Sequence, residues 1–83
     1  MIQGIDVALY FIGLDSEHKV FNKRKSVQDG RCFYVGCERL IHYMHMAQNI
    51  YIAKYGKPLM DSVFYAYDGG AVDRVVYDKY PEL

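Results

Sequence analysis

The sequence predicts a mainly α, α+β domain built around one long central helix at residues 37–55, with a short hairpin or extended element beside it. Three observations carry this expectation. The stretch "CERLIHYMHMAQNIYIAKY" at 37–55 repeats apolar residues at helical spacing; Ile5, Ala8, Leu9 and Ile12 do the same over a shorter span; and "VFYAY" at 63–67 is the β-branched and aromatic run of a strand. A chain of 83 residues makes a single domain, 1–83, and buries only about 60–65% of the surface its unfolded form exposes, so its core must be small.

The first helix is expected over residues 5–14, with Asp6 in the first turn where a negative charge suits the helix dipole, and with Asp15-Ser16-Glu17-His18 ending it. Between 19 and 35 the pattern is irregular. A basic cluster, Lys23, Arg24 and Lys25, is followed by the turn signal Asp29-Gly30, and Val20-Phe21 either pairs with residues 31–35 as a hairpin or packs as loop. In the central helix Leu40, Met44, Ala47 and Tyr51 form one line, flanked by Ile41, Tyr43, Ile50 and Tyr55, while Glu38, His42, His45 and Asn49 fall opposite. So wide an apolar sector predicts neighbours on more than one side. Gln48 lies inside that sector, and a buried amide without partners costs roughly 1–3 kcal/mol, so its side chain is expected to bond to backbone or to a tyrosine hydroxyl. Gly56 follows the helix where a left-handed cap residue is wanted, and Lys57-Pro58 turns the chain. After the strand-like run, Gly69-Gly70 reads as a structural turn, and Val72, Val75, Val76, Tyr77 and Tyr80 return to helical spacing.

Composition excludes several classes of function. Ten basic residues balance ten acidic ones, and hydrophobic residues make up 52%, which describes a folded chain and not a disordered one. A net charge near zero argues against nucleic acid as partner, because phosphate binding draws on a surplus of Lys and Arg gathered on one face. Lys19, Lys23, Arg24 and Lys25 with Phe21 are the exception to weigh, although a charged loop is more often simply solvated. No run of eighteen apolar residues predicts a membrane span, and the apolar patch in residues 1–19 has neither a basic n-region nor a small-residue cleavage site, so a cytoplasmic protein with free thiols is expected.

Cys32, Cys37, His42 and His45 give the spacing C-x4-C-x4-H-x2-H, all residue types that zinc accepts. Finger-type sites place an extended segment between the cysteine and histidine pairs, whereas here both histidines share one helix, so solvent-facing histidines and half-buried thiols are the stronger expectation and no metal or other cofactor is predicted. A cysteine nucleophile paired with either histidine lacks any sign of an oxyanion hole or of a third orienting group, and Asp61, Asp68, Asp73 and Asp78 show no catalytic pairing. The chain is expected not to be an enzyme.

From Leu40 to Tyr80, "LIHYMHMAQNIYIAKYGKPLMDSVFYAYDGGAVDRVVYDKY" resembles the Panacea antitoxin domain family, the SocA-like and phage-associated GepA-like proteins. Leu40, Tyr43, Ala47, Gln48, Tyr51, Ala53, Tyr55, Gly56, Pro58 and Leu59 match its helix-and-turn motif "KLLYYAQxxYLAxYGKPLF", and Ala66, Tyr67, Gly70, Val72, Val76 and Tyr77 match the segment that follows. "DVALYFI" at 6–12 is similar to the family's opening helix. Two departures stand out: Ala71 replaces the proline of the family's Gly-Pro-Val turn, and the family's further C-terminal helices are absent, as in a shortened member or an excised domain. The resemblance implies a non-enzymatic module of a toxin–antitoxin or phage-associated system that neutralises a protein toxin or acts as an adaptor to a protease. The alternative is a small regulatory module that binds nucleic acid or only itself. Tyr67, Asp68, Arg74 and Tyr77, around the glycine turn, are the expected partner-binding residues, because loops held by a scaffold carry function. Apolar surface that further helices would cover is expected to favour a protein partner or a homo-oligomer.

Overall fold

The computed structural model describes residues 1–28, 30–67 and 70–83, and these form a mainly helical α+β domain. In chain order they are α1 (Gly4–Leu14), β1 (Lys25–Gln28), β2 (Arg31–Tyr34), α2 (Val35–Tyr55), β3 (Phe64–Tyr67), β4 (Gly70–Asp73), α3 (Arg74–Lys79) and a closing 3-10 turn at Tyr80–Glu82. The strands make two separate antiparallel hairpins, β1 with β2 and β3 with β4, while α1, α3 and β4 pack against α2.

The N-terminus of α1 is capped from far along the chain. Gln3 makes no side-chain cap; instead the Gly4 N–H donates to Asp61 Oδ1 at 2.7 Å. Val7 and Ala8 then face the core, and the helix stops where the Asp15 N–H returns to the Ile12 carbonyl. The Asp15 carboxylate gathers the next loop by accepting from the N–H groups of Lys19 (3.1 Å), Val20 (2.9 Å) and Phe21 (2.8 Å) around a left-handed His18 at φ 53°. This brings Phe21 into the core as part of a loop. The hairpin partner of Arg31–Tyr34 is therefore Lys25–Gln28 and not Val20-Phe21.

In α2 the side chains of Cys37, Leu40, Ile41, Met44 and Gln48 are buried. Its first turn passes so close to the loop before β1 that a Cβ on Gly36 would meet the Tyr80 hydroxyl and the Asn22 backbone, and Tyr80 itself donates to the Asn22 carbonyl at 2.7 Å. At the other end Gly56 adopts φ 72° and its N–H caps the Ile52 carbonyl, as the sequence predicts. The apolar sector is narrower than expected: Tyr43, Ile50 and Tyr55 lie in solvent, whereas His45, assigned to the polar face, is half-buried with its ring 4.9 Å from that of Phe64.

Gln48 bonds as anticipated, and to backbone. Its Nε2 donates to the Met60 carbonyl at 3.0 Å, and its Oε1 accepts from the N–H groups of Leu59 (2.8 Å) and Met60 (3.1 Å). The strap so held pairs with the start of the chain through a parallel bridge between Ile2 and Met60. Beyond it, Gly70–Asp73 forms a strand where the valine spacing predicts helix from Val72 onward, because α3 begins only after its N-cap, Asp73. That buried carboxylate accepts from Val75 N (3.0 Å) and Val76 N (3.4 Å) through Oδ1.

Two stability measurements check this account. Gln48→Leu keeps the volume but strands the buried N–H and carbonyl of Met60 and the partly buried N–H of Leu59, so urea unfolding should show a loss of about 2–4 kcal/mol; a loss below about 1 kcal/mol would mean that the strap stands without the amide. The N–H of Phe21, ahead of those of Val20 and Lys19 and of the charge on His18, holds the Asp15 carboxyl below its ordinary value, against an opposing effect of burial. A depressed folded pKa stabilises above the unfolded value, about 3.9, and that stabilisation disappears as pH falls through the folded value. Asp15→Asn should thus lower the melting temperature at neutral pH, with the gap to the parent closing in strong acid.

Candidate partner-binding site

α3 is only six residues long, and its orientation is fixed at both ends: Asp73 caps its start, and Tyr80 just beyond it is buried with its hydroxyl on Asn22. Val76 points inward and is fully buried. Arg74, Val75 and Tyr77 are consequently forced outward, Val75 at 56% and Tyr77 at 42% exposure. Tyr65 of β3, paired with Val72, adds a third large exposed side chain.

Of the four residues expected to bind a partner, Arg74 and Tyr77 thus share the exposed side of α3. Tyr67 closes β3 opposite Gly70, where only its backbone position is described, and Asp68 lies outside the described residues. The expected turn divides in the same way: Gly70 opens β4, and Gly69 lies outside the described residues. Tyr65 and Val75 escaped the sequence reading because they sit at positions where a buried aromatic or valine reads identically. Asp73 escaped it as a cap, although an Asp directly before an apolar helical run is a usual start signal.

The other chemistries weighed from sequence find different surroundings. Cys32 is exposed on β2, whereas Cys37 is buried in α2 with its thiol pushed up to about 12 by burial first and by Glu38 second. A thiol so disfavoured as thiolate is a poor nucleophile or metal ligand. Among the described residues, no three His, Cys, Asp or Glu side chains are grouped to hold a metal ion, and no helix is long and apolar enough to cross a membrane.

Much of the basic cluster is engaged within the chain. Lys23 Nζ donates to the carbonyl oxygens of Pro81 (3.0 Å) and Leu83 (2.9 Å) above the Tyr80 ring, Lys25 lies over Tyr34, and Lys19 pairs with Glu17 at 2.8 Å. A cavity of ≈ 240 Å³ beside Ile12, His18, Phe21, Lys23 and Tyr80 is smaller than the roughly 300–1,000 Å³ typical of small-molecule sites. Comparison with protein-family models, curated proteins and solved structures finds no match to this chain.

The two thiols offer a direct check on the packing of α2. Under native conditions near pH 8 an alkylating reagent should modify Cys32 alone, and Cys37 should react only after denaturation. Equal rates at both positions would show that the start of α2 opens readily.

Proposed function

We propose that this chain is a non-enzymatic protein-binding module of the antitoxin kind, which neutralises a toxin directly or delivers it to a protease. The observation that carries the reading is the exposed pair Arg74 and Tyr77, three residues apart on the outer rim of α3, with Val76 on the inner side anchored in the core. Interfaces favour such rigid aromatic anchors, which lose little conformational freedom on binding. The resemblance of residues 40–80 to the Panacea domain supports the choice of a toxin as partner. The intramolecular engagement of Lys19, Lys23 and Lys25 supports protein over nucleic acid. On this reading the protein acts in the cytoplasm and needs no cofactor.

The test is co-expression with the product of the adjacent gene, with and without Arg74→Ala and Tyr77→Ala combined. The parent should co-purify with the neighbour and relieve its toxicity. The double variant should lose at least tenfold in co-purification while its melting temperature stays within a few degrees of the parent's. A collapse of the melting temperature would place both residues in the fold, and undiminished co-purification would place the partner elsewhere.

A further inference from the structure

On α2, Tyr43, Met46, Ile50 and Ala53 recur at a 3-4-3 spacing, so they form one straight line over three turns of a 21-residue helix. All four lie in solvent, Tyr43 at 45%, Met46 at 44% and Ile50 at 63% exposure. No charged side chain interrupts the line from Tyr43 to Ala53. At its upper end the Arg39 guanidinium is drawn to the Val20 carbonyl at 3.3 Å, and beside its lower end Lys54 folds over the Tyr55 ring. The line reaches α1 through touching rings, since Tyr43 lies 6.1 Å from Phe11 and Phe11 lies 6.3 Å from exposed Tyr10.

We propose that this line is a self-association seam, on which two copies of the chain pack α2 against α2, antiparallel, about a two-fold axis that crosses the line midway between Met46 and Ile50. Three features select a second copy as the occupant. The molecule is flat, with extents of 38 × 30 × 17 Å, and exposes 5802 Å². A folded monomer of 9.7 kDa is expected to expose about 5,100 Å². The surplus, roughly 700 Å², is close to the roughly 800 Å² that each partner loses in a standard interface. The formal net charge is zero, so two copies approach without net repulsion. An antiparallel pairing centred on residue 48 also sets Tyr43 against Ala53 and Met46 against Ile50, large against small at the ends and equal volumes in the middle, which suits a self-complementary contact. None of the residues assigned to the partner-binding rim takes part, so the two readings fail independently.

Sedimentation equilibrium of the whole chain decides the matter. The expected result is a mass that rises toward twice the monomer with concentration, and a dimer weakened at least tenfold by Ile50→Glu and, independently, by Ala53→Arg. Both positions are already exposed and both replacements are tolerated in helices, and circular dichroism should confirm a folded chain in each case. Orientation is read by mixing Tyr43→Cys with Ala53→Cys, each carrying Cys32→Ser, under mild oxidation. Antiparallel packing links the two different variants, whereas parallel packing links each variant to itself. A monomer at every concentration, a dimer indifferent to both charged variants, or self-linked variants would each overturn the proposal.

Discussion

The Gln48 amide is the interaction on which the rest of the molecule depends. One side chain on α2 binds both N–H groups and one carbonyl of the strap at Leu59 and Met60, so it fixes a segment that forms no regular structure of its own. That strap in turn holds the N-terminus: Ile2 pairs along it through the Leu59 carbonyl and the Asp61 N–H, and the Asp61 carboxylate caps the first N–H of α1. The position of α1 is therefore set by the far end of the chain. A side chain with both donor and acceptor can hold a backbone segment at two kinds of site, which no apolar residue could do.

The same economy explains the tyrosines. A core this small has room for few large rings, and among the tyrosines whose side chains are described only Tyr80 is fully buried, with its hydroxyl satisfied by the Asn22 carbonyl. Its ring closes the space beneath Gly36 and sits beneath Lys23, so the C-terminal turn, the basic loop and the start of α2 meet on a single side chain. Burial pushes its hydroxyl up to about 12, which keeps it a neutral donor across the physiological range. Tyr10, Tyr34, Tyr43, Tyr51, Tyr55, Tyr65 and Tyr77 remain wholly or partly at the surface, where a ring with a wet edge costs little alone and gains much when covered.

How much was legible in the sequence varied with the range of the interaction. The long helix, its glycine cap and the need to satisfy Gln48 follow from spacing within one element, and each corresponds to what the fold shows. The pairing of β1 with β2 does not: it depends on Asp15 reaching forward to pull Phe21 into the core, and neither residue announces that from its own position. Val72 lies on a strand because a buried Asp73 starts α3 one residue later, a boundary that helical spacing of valines conceals. On α2 the periodicity found the apolar residues but could not say which neighbours would arrive. α1 reaches Tyr43 through Phe11, β3 brings Phe64 over His45, and the edge bearing Met46 and Ile50 is left open. Of the candidate site, the exposure of Arg74 and Tyr77 accords with their choice from sequence beside the Gly69-Gly70 signal, whereas Tyr65 and Val75 needed the fold to turn them outward.

The two exposed surfaces lie on different elements, the seam on α2 and the rim on α3, and this separation has a consequence for binding. His45 and Gln48 mark the flank that receives the β3–β4 hairpin and the strap, whereas Tyr43 marks the flank that receives α1 and continues into the open edge. A dimer closed through that edge would draw on α2 residues and on none of the α3 rim. Two equivalent rims on one particle convert a second encounter with a dimeric or clustered partner into an intramolecular event, which raises avidity without any new contact. A small domain with little area to offer on each rim gains most from such doubling, because its single-site affinity is limited by the few anchors that its core can hold rigid.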